Sequence, residues 1–542
     1  MFCHYLSKLG KKAQALILSY MIISVFIIIS AALLSKAISE KNISLRDRLV
    51  NEAFYLAEGG TENAISTFTS AIANYQIPAD VESFNVNTTF TTFGGATVNS
   101  SITRLEDSDR LILEGTTNIL ARNYEIVSTV THPQNNEITI TLHQIIARRL
   151  IPAFQHAVFY AEDLEILPGP DMNLSGRIHS NQDIYIDSNN TLTVDSTYLR
   201  SAGNIYNRRK NDGSESSGDV SIRVNKPGAP EYEYMDNLDS ESPNWTTEAI
   251  NRWQGTVQSA VHGVTTLTAP SVASIQPDGY YASNADVIIV NGVITKNGVT
   301  LIEGVDYPAG TVTTSTTFYN NREGEDIRMT EIDLRKLANA DGEVDADGNP
   351  FPNNLPANGL LYATRDDAGG YQPGIRLKNA SEIYRADGLT VVSNVPVYIQ
   401  GDFNTVDKKP AGVISDALNL LSNNWDDSKD HWGVDSRIAT ETTVNCAFIA
   451  GIDTTTPGYY NGGLENYPRL HEKWSGVNLN IRGSFVALWN SAIATGAWEY
   501  GDPQYKAPVR NWDYDADFNN IDNLPPFTPW TVEAQRIAWW KE

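Results

Sequence analysis

The chain has 542 residues, and 65 Asp and Glu outweigh 40 Lys and Arg, a formal net charge of −25. A surface this acidic repels nucleic-acid phosphates and anionic lipid headgroups, which argues against a nucleic-acid partner. The length exceeds one ordinary core, so about two to four domains are expected, and two cysteines, Cys3 and Cys446, make no disulfide framework.

Residues 1–12 form a short basic leader with Lys8, Lys11 and Lys12. Ala13 to Ser35 then carry no charge and are strongly apolar. Such a run makes a helix of about 35 Å, enough for a hydrocarbon core of about 30 Å. It is longer than the apolar part of a secretory signal, about 7–15 residues, and no Gly or Pro ends it. The leading lysines favour a cytoplasmic N-terminus. Lys36, Lys41, Arg46 and Arg48 pull the other way, and the size of the acidic downstream body decides for placing it outside the cytoplasm. Val50, Phe54, Ala57, Thr61 and Ala64 recur at three- and four-residue spacing. One helix over 13–70 is therefore predicted, membrane-buried in its first half, amphipathic in its second, and weakened at Gly59-Gly60.

Across 80–150 the period changes to two, which predicts an antiparallel sheet packed on the helix, with turns at Asp107-Ser108-Asp109 and Pro133-Gln134-Asn135-Asn136. From 155 to 206 very short apolar strands alternate with small polar turns, the grammar of stacked coils. The same grammar returns over 359–498. The fold class expected is α+β, mainly β: a long N-terminal helix, a small antiparallel sheet, and a β-solenoid-like (parallel β-helix) body in two parts. An α/β insertion over 207–358 would separate those parts, with a helix capped by Thr246 or Thr247 and hairpins at Asn291-Gly292 and Asn297-Gly298. Residues 499–542, rich in Trp, Tyr and Pro, are expected to cap the end of the body.

Chemistry-bearing motifs are few. "EVDADGNP" places Glu343, Asp345 and Asp347 at alternate positions before Gly348, like the start of a calcium loop. Glu343 in first place and Asn354 where a bidentate Glu should close the site favour a plain acidic turn. Calcium is the one cofactor the residues suggest, and otherwise none is expected. No two of the eight histidines stand at metal-ligand spacing. The acidic stretch with Asp426, Asp427 and Asp430 lies between Trp425 and Trp432, and reads as a solvated loop unless two carboxyls face one bond. No nucleophile elbow, phosphate loop or dinucleotide fingerprint is present.

The segment from Lys11 to Ile65, with "ALILSYM", Arg46-Asp47-Arg48 and "YLAEGG" at Tyr55–Gly60, resembles the N-terminal domain of PilX-like minor pilins of type IV pili. The stretches "GRIHSN", "PVYIQGDFNT", "YNGGLENYPR" and "RGSFVALWNS" resemble large pilus-assembly-associated proteins that carry such an N-terminus on a solenoid-like body. The resemblance implies a structural minor or tip component of a pilus or secretion pseudopilus, not an enzyme. It would be anchored in the inner membrane before assembly and exposed at the cell surface afterwards. Other pilin or pseudopilin subunits, a prepilin peptidase and surface glycans are the implied partners. Ala13, Leu16, Arg46, Asp47, Glu58, Gly59 and Gly60 would serve the helix and its assembly, with Gly10 or Ala13 as the processing position. Major pilins keep a Glu five residues after that position. Here the residue would be Ala15 or Leu18, so either processing does not occur or the subunit joins a filament where that charge is not used, such as the tip. The alternatives are a membrane-anchored carbohydrate-active enzyme on the same scaffold and an envelope-anchored adhesin outside any filament.

Overall fold

A computed structural model of the chain describes residues 10–72 and 83–542. The leader residues Cys3, His4 and Lys8 and the expected start of the sheet at 80 lie outside the described residues.

Helix α1, Lys11–Ile72, is continuous. The predicted weakening at Gly59-Gly60 is corrected: the helix runs through both. They serve close approach instead. A Cβ on Gly59 would stand 2.8 Å from Phe90 Cζ, and one on Gly60 would stand 2.3 Å from Val98 Cγ1. The pair lets a sheet lie against the helix backbone.

That sheet contains β1 (Ser83–Phe90), β2 (Ala96–Arg104), β3 (Arg110–Glu114), β4 (Thr117–His132) and β5 (Asn135–Pro152), all antiparallel. Inward residues alternate along β2 and β4, as a half-buried sheet requires. Leu49, Ala53, Leu56 and Ala57 of α1 pack on Val98, Val130, Ile140 and Leu142, and further along Ala64 and Phe68 pack on Ile102, Tyr124 and Ile146. The far edge of the sheet is the C-terminal strand Trp530–Lys541, antiparallel to β5. The predicted end cap over 499–542 is therefore corrected. Val509–Tyr514 joins the body beside Asn478–Ala487, and the last strand returns to the helix-bound sheet. Its residues alternate too weakly to reveal this: from Gln535 onward every side chain is exposed.

The remainder is a stack of short strands, parallel except at its margins. Val158↔Ile178 and Leu164↔Ile184 pair at a 20-residue offset, and Ile178↔Leu199 and Ile184↔Ile205 at 21, by subtraction of the paired numbers. One chain turn thus lays down one strand in each of several faces. Strand order along the longest sheet is unexpected. It runs outward from Val158–Tyr160 through Ile178–Ser180 and Leu199–Ser201 to Val257–Gln258. The chain then crosses to the opposite end at Val287–Val290 and winds back through Leu360–Thr364, Leu389–Val392, Ala411–Ser415 and Thr442–Ala450. Asn478–Ala487 closes the path against Val158–Tyr160, with Phe485↔Val158 and Ala487↔Tyr160 in register.

The predicted insertion over 207–358 is corrected accordingly. Asp219–Arg223, Val257–Gln258, Val287–Val290 and Glu325–Asp333 within it all pair in parallel with strands of the body. A long crossing between the two ends had looked like a separate region. Within it the helix Trp245–Trp253 has Asn244, not Thr246 or Thr247, at its N-cap, and Asn291-Gly292 and Asn297-Gly298 make the hairpins with positive φ. A large apolar core runs through the stack, including Trp253, Trp474, Phe159 and Tyr281, and a smaller cluster gathers Phe318, Ile327, Met329, Tyr398, Leu421 and Trp425.

Candidate assembly interface and polar groove

The first half of α1 has no packing partner among the described residues. From Ala15 to Arg48 every residue except Ile17 is exposed, and the large apolar ones run from Leu16 to Leu45. The span contains one helix long and apolar enough to cross a membrane. Two of its serines are satisfied within the helix: Ser19 Oγ donates to the Ala15 carbonyl and Ser24 Oγ to the Met21 carbonyl, each at 2.8 Å. Such a rod suits only a water-free host, lipid or other helices, since neither demands hydrogen bonds from it.

The residues singled out on this helix separate into groups. Gly10 is exposed just before the first turn, and its carbonyl accepts the Ala13 and Gln14 amides at 2.8 and 3.2 Å. Ala13 already lies inside the helix, half-exposed, and Leu16 is fully exposed. Arg46 and Asp47 are exposed on the turn before the sheet begins to cover α1. Arg48 reaches Glu52 at 3.4 Å, and Glu52 meets His132 of β4 at 3.2 Å, which ties the helix to the sheet where the covered half begins. Glu58 is exposed beside Gly59 and Gly60 and lines a small cleft with Phe54, Glu62, His143, Arg536 and Trp539. Across that cleft Arg536 holds Glu62 with two hydrogen bonds of 2.7 and 2.6 Å. Trp540 stacks on His143 at 4.8 Å, and Trp539 meets Phe54 at 6.4 Å. Of the residues named for assembly, Glu58 therefore shares a cleft with the C-terminal strand, a juxtaposition that no sequence spacing signals.

The calcium motif resolves as a turn. Asp345 Oδ1 accepts the amides of Asp347 and Asn349 at 2.9 and 2.8 Å, which holds its carboxyl below the usual range, and Glu343 lies 3.7 Å from Lys336. No group of three His, Cys, Asp or Glu among the described residues is arranged to hold a metal. Glu343, Asp345 and Asp347 form no such group. In the acidic stretch Asp427 makes a two-bond pair with Arg376, both 2.8 Å, Asp426 caps Ser428, and Asp430 accepts the Tyr319 amide. Trp425 is buried and Trp432 exposed.

A concavity lies elsewhere, a groove of about 980 Å³ along one face of the body. Its floor is a row of outward side chains on six neighbouring strands. Asn445, Arg482 and Asp513 are in register. Ser175 Oγ donates to Asp513 and bridges to the next sheet, where Ser175↔Asp195 are paired and Arg223 follows on the adjoining strand, 3.0 Å from Asp195. A second row runs beside it: Thr443, Asn480 and Asn511 in register, then Asn173. Asn511 Nδ2 donates to Asn480 Oδ1 at 2.8 Å, and Asn480 Nδ2 to Thr443 Oγ1 at 3.1 Å. One wall is the β3–β4 turn, where Thr117 and Thr116 clasp Asn519. These residues escaped sequence reasoning. Strings such as "LNIRG" and "RNWDY" do alternate apolar with polar, but only the stacking order shows that their polar members line up.

No protein-family model matches the sequence, and no curated protein matches it. Among solved structures, the competence-associated pilin ComZ from Thermus thermophilus is similar at 10% identity and a TM-score of 0.27, over 91% of this chain and 97% of that one.

Proposed function

We propose that the protein is a structural subunit of a type IV pilus or related pseudopilus, in a minor or tip position, which holds a large β-solenoid body outside the cytoplasm. One observation carries the reading: a single helix whose first half is uncharged and wholly unpacked continues, without a break, into a second half sealed by a sheet. Before assembly the bare half resides in the inner membrane, and afterwards it packs among like helices. The "YLAEGG" resemblance names the family in which such a rod is used. The body then initiates assembly or presents an adhesive surface, and catalysis is not part of the reading.

In this reading the leader is removed after Gly10 rather than Ala13; the support is that the former peptide bond precedes the first helical turn and the latter lies within it. Mass mapping of the N-terminus, in cells with and without prepilin peptidase, tests this. The expected mature residue is Lys11, seen only with the peptidase and recovered in sheared surface fractions. A start downstream of α1, or a mass indifferent to the peptidase, overturns the reading.

A further inference from the structure

We infer that the groove on the body binds a neutral, hydroxyl-rich glycan chain lying across the stacked strands. The inference deepens the surface-presentation part of the reading above, and its binding test stands or falls without regard to filament entry.

Three features converge. First, the two rows present amides and hydroxyls, groups that donate and accept together, which is what a sugar hydroxyl also does. Second, most charges along the groove are answered. In the floor Arg223 is paired with Asp195 at 3.0 Å, and Arg482 is the register partner of Asp513. Of the two further arginines in the lining, Arg177 is held by Glu114 at 3.0 Å and Arg510 turns to the Glu465 carbonyl at 3.1 Å. On a body of net charge −25 such a groove presents neither a concentrated basic patch to a polyanion nor an acidic one to a polycation. Third, the side chains are held in place by one another. The Asn511–Asn480–Thr443 chain and the Ser175–Asp513 bond fix donors and acceptors before a ligand arrives, which lowers the ordering cost of binding.

The geometry sets the ligand's shape. Hydrogen-bonded strands stand about 4.8 Å apart, so each set of three, around Asn478–Ala487 and around Thr191–Asp195, repeats its polar contacts at that interval. That repeat is comparable to one pyranose unit, and the groove is open along its length, which fits a linear chain rather than a single sugar. Asn511, Arg482 and Asp513 are exposed and reach the ligand, and Asn480 and Asn445, half-exposed, sit beside them.

The test uses the full-length protein in detergent micelles on an array of linear neutral and uronic-acid oligosaccharides. Binding to neutral glycans is expected, stronger for longer chains than for disaccharides and little changed by salt. Asn511→Ala and Arg482→Ala, both on exposed positions, are each expected to weaken it about tenfold, the loss of one or two hydrogen bonds. Unchanged melting temperatures verify that the variants fold, and the conservative Asn511→Gln covers the case in which one does not. Absence of binding to neutral glycans, binding confined to uronic-acid chains, or neutral binding indifferent to all three substitutions overturns the inference.

Discussion

At the scale of single residues, Gly60 shows how one missing side chain joins two elements. Its Cα is the point where α1 meets β2, and an added Cβ would stand 2.3 Å from Val98 Cγ1. Overpacking of this kind costs about 1–3 kcal/mol. Gly60→Ala is expected to lower stability in that range in a urea titration, and Gly60→Ala with Val98→Ala to recover part of the loss. Equal losses for the single and double variants would show that the contact does not limit the site. Glu472 carries a pH-dependent counterpart. Burial pushes its carboxyl up to about 7, although it accepts both the amide and the hydroxyl of Ser422 at 2.6 Å. An unfolded glutamate releases its proton near 4.5. Unfolding therefore releases a proton between these values, so this group's contribution to stability is full below 4.5 and is lost as pH rises through about 7. Glu472→Gln should raise the melting temperature at pH 8 and change it little at pH 4.5. A gain equal at both pH values would refute the assignment.

At the scale of elements, the C-terminal strand is the surprise. Beside β5 it is held by Arg149 to Glu533 at 2.6 Å, by Arg536 to Glu62, and by the stack of Trp540 on His143. His143 is held above the usual imidazole range by its hydrogen bond to Glu125, with a second to Glu542. A histidine raised on folding stabilises fully below its unfolded value of about 6.5, and the gain disappears as pH rises through the folded value. Amide exchange over 536–541, corrected for intrinsic rates, should be slower at pH 6 than at pH 8.5 in the native protein. With His143→Gln that contrast should vanish, and its persistence would count against the link. The helix itself was plain in the sequence, because twenty-three uncharged residues and a three-four spacing need no tertiary information. The strand was not, because its edge position leaves its side chains wet and its pairing partner is hundreds of residues away.

At the scale of the whole molecule, short strands and polar turns announced a mainly β body, yet not the order of its strands. Local alternation in Thr442–Ala450 or Asn478–Ala487 shows which side chains face inward. It carries no record that the path starts at the waist of the stack, runs to one end, and returns from the other. The same blindness hid the groove, whose rows exist only once Asn480 lies beside Asn511. The closing seam has an energetic consequence. Phe485, buried, stacks on Trp512 at 5.2 Å and pairs with Val158. Its truncation to Ala should cost about 3–5 kcal/mol. Since each half of the stack covers an open edge of the other at this strand, Phe485→Ala should expose both halves together in hydrogen exchange under urea. Early loss of one half alone would show that the seam does not couple them.

Because the path begins and ends at the waist, the chain enters and leaves the body at adjacent points. The Ala153 amide donates to the Pro529 carbonyl at 2.8 Å, where β5 ends and the last strand begins. A tug on the rod therefore reaches the body through two ribbons lying side by side rather than one. Both are loaded along their length, so their ladder of bonds must slip as a whole and cannot open rung by rung. The neck is thus a pair of strands loaded in shear rather than a single linker.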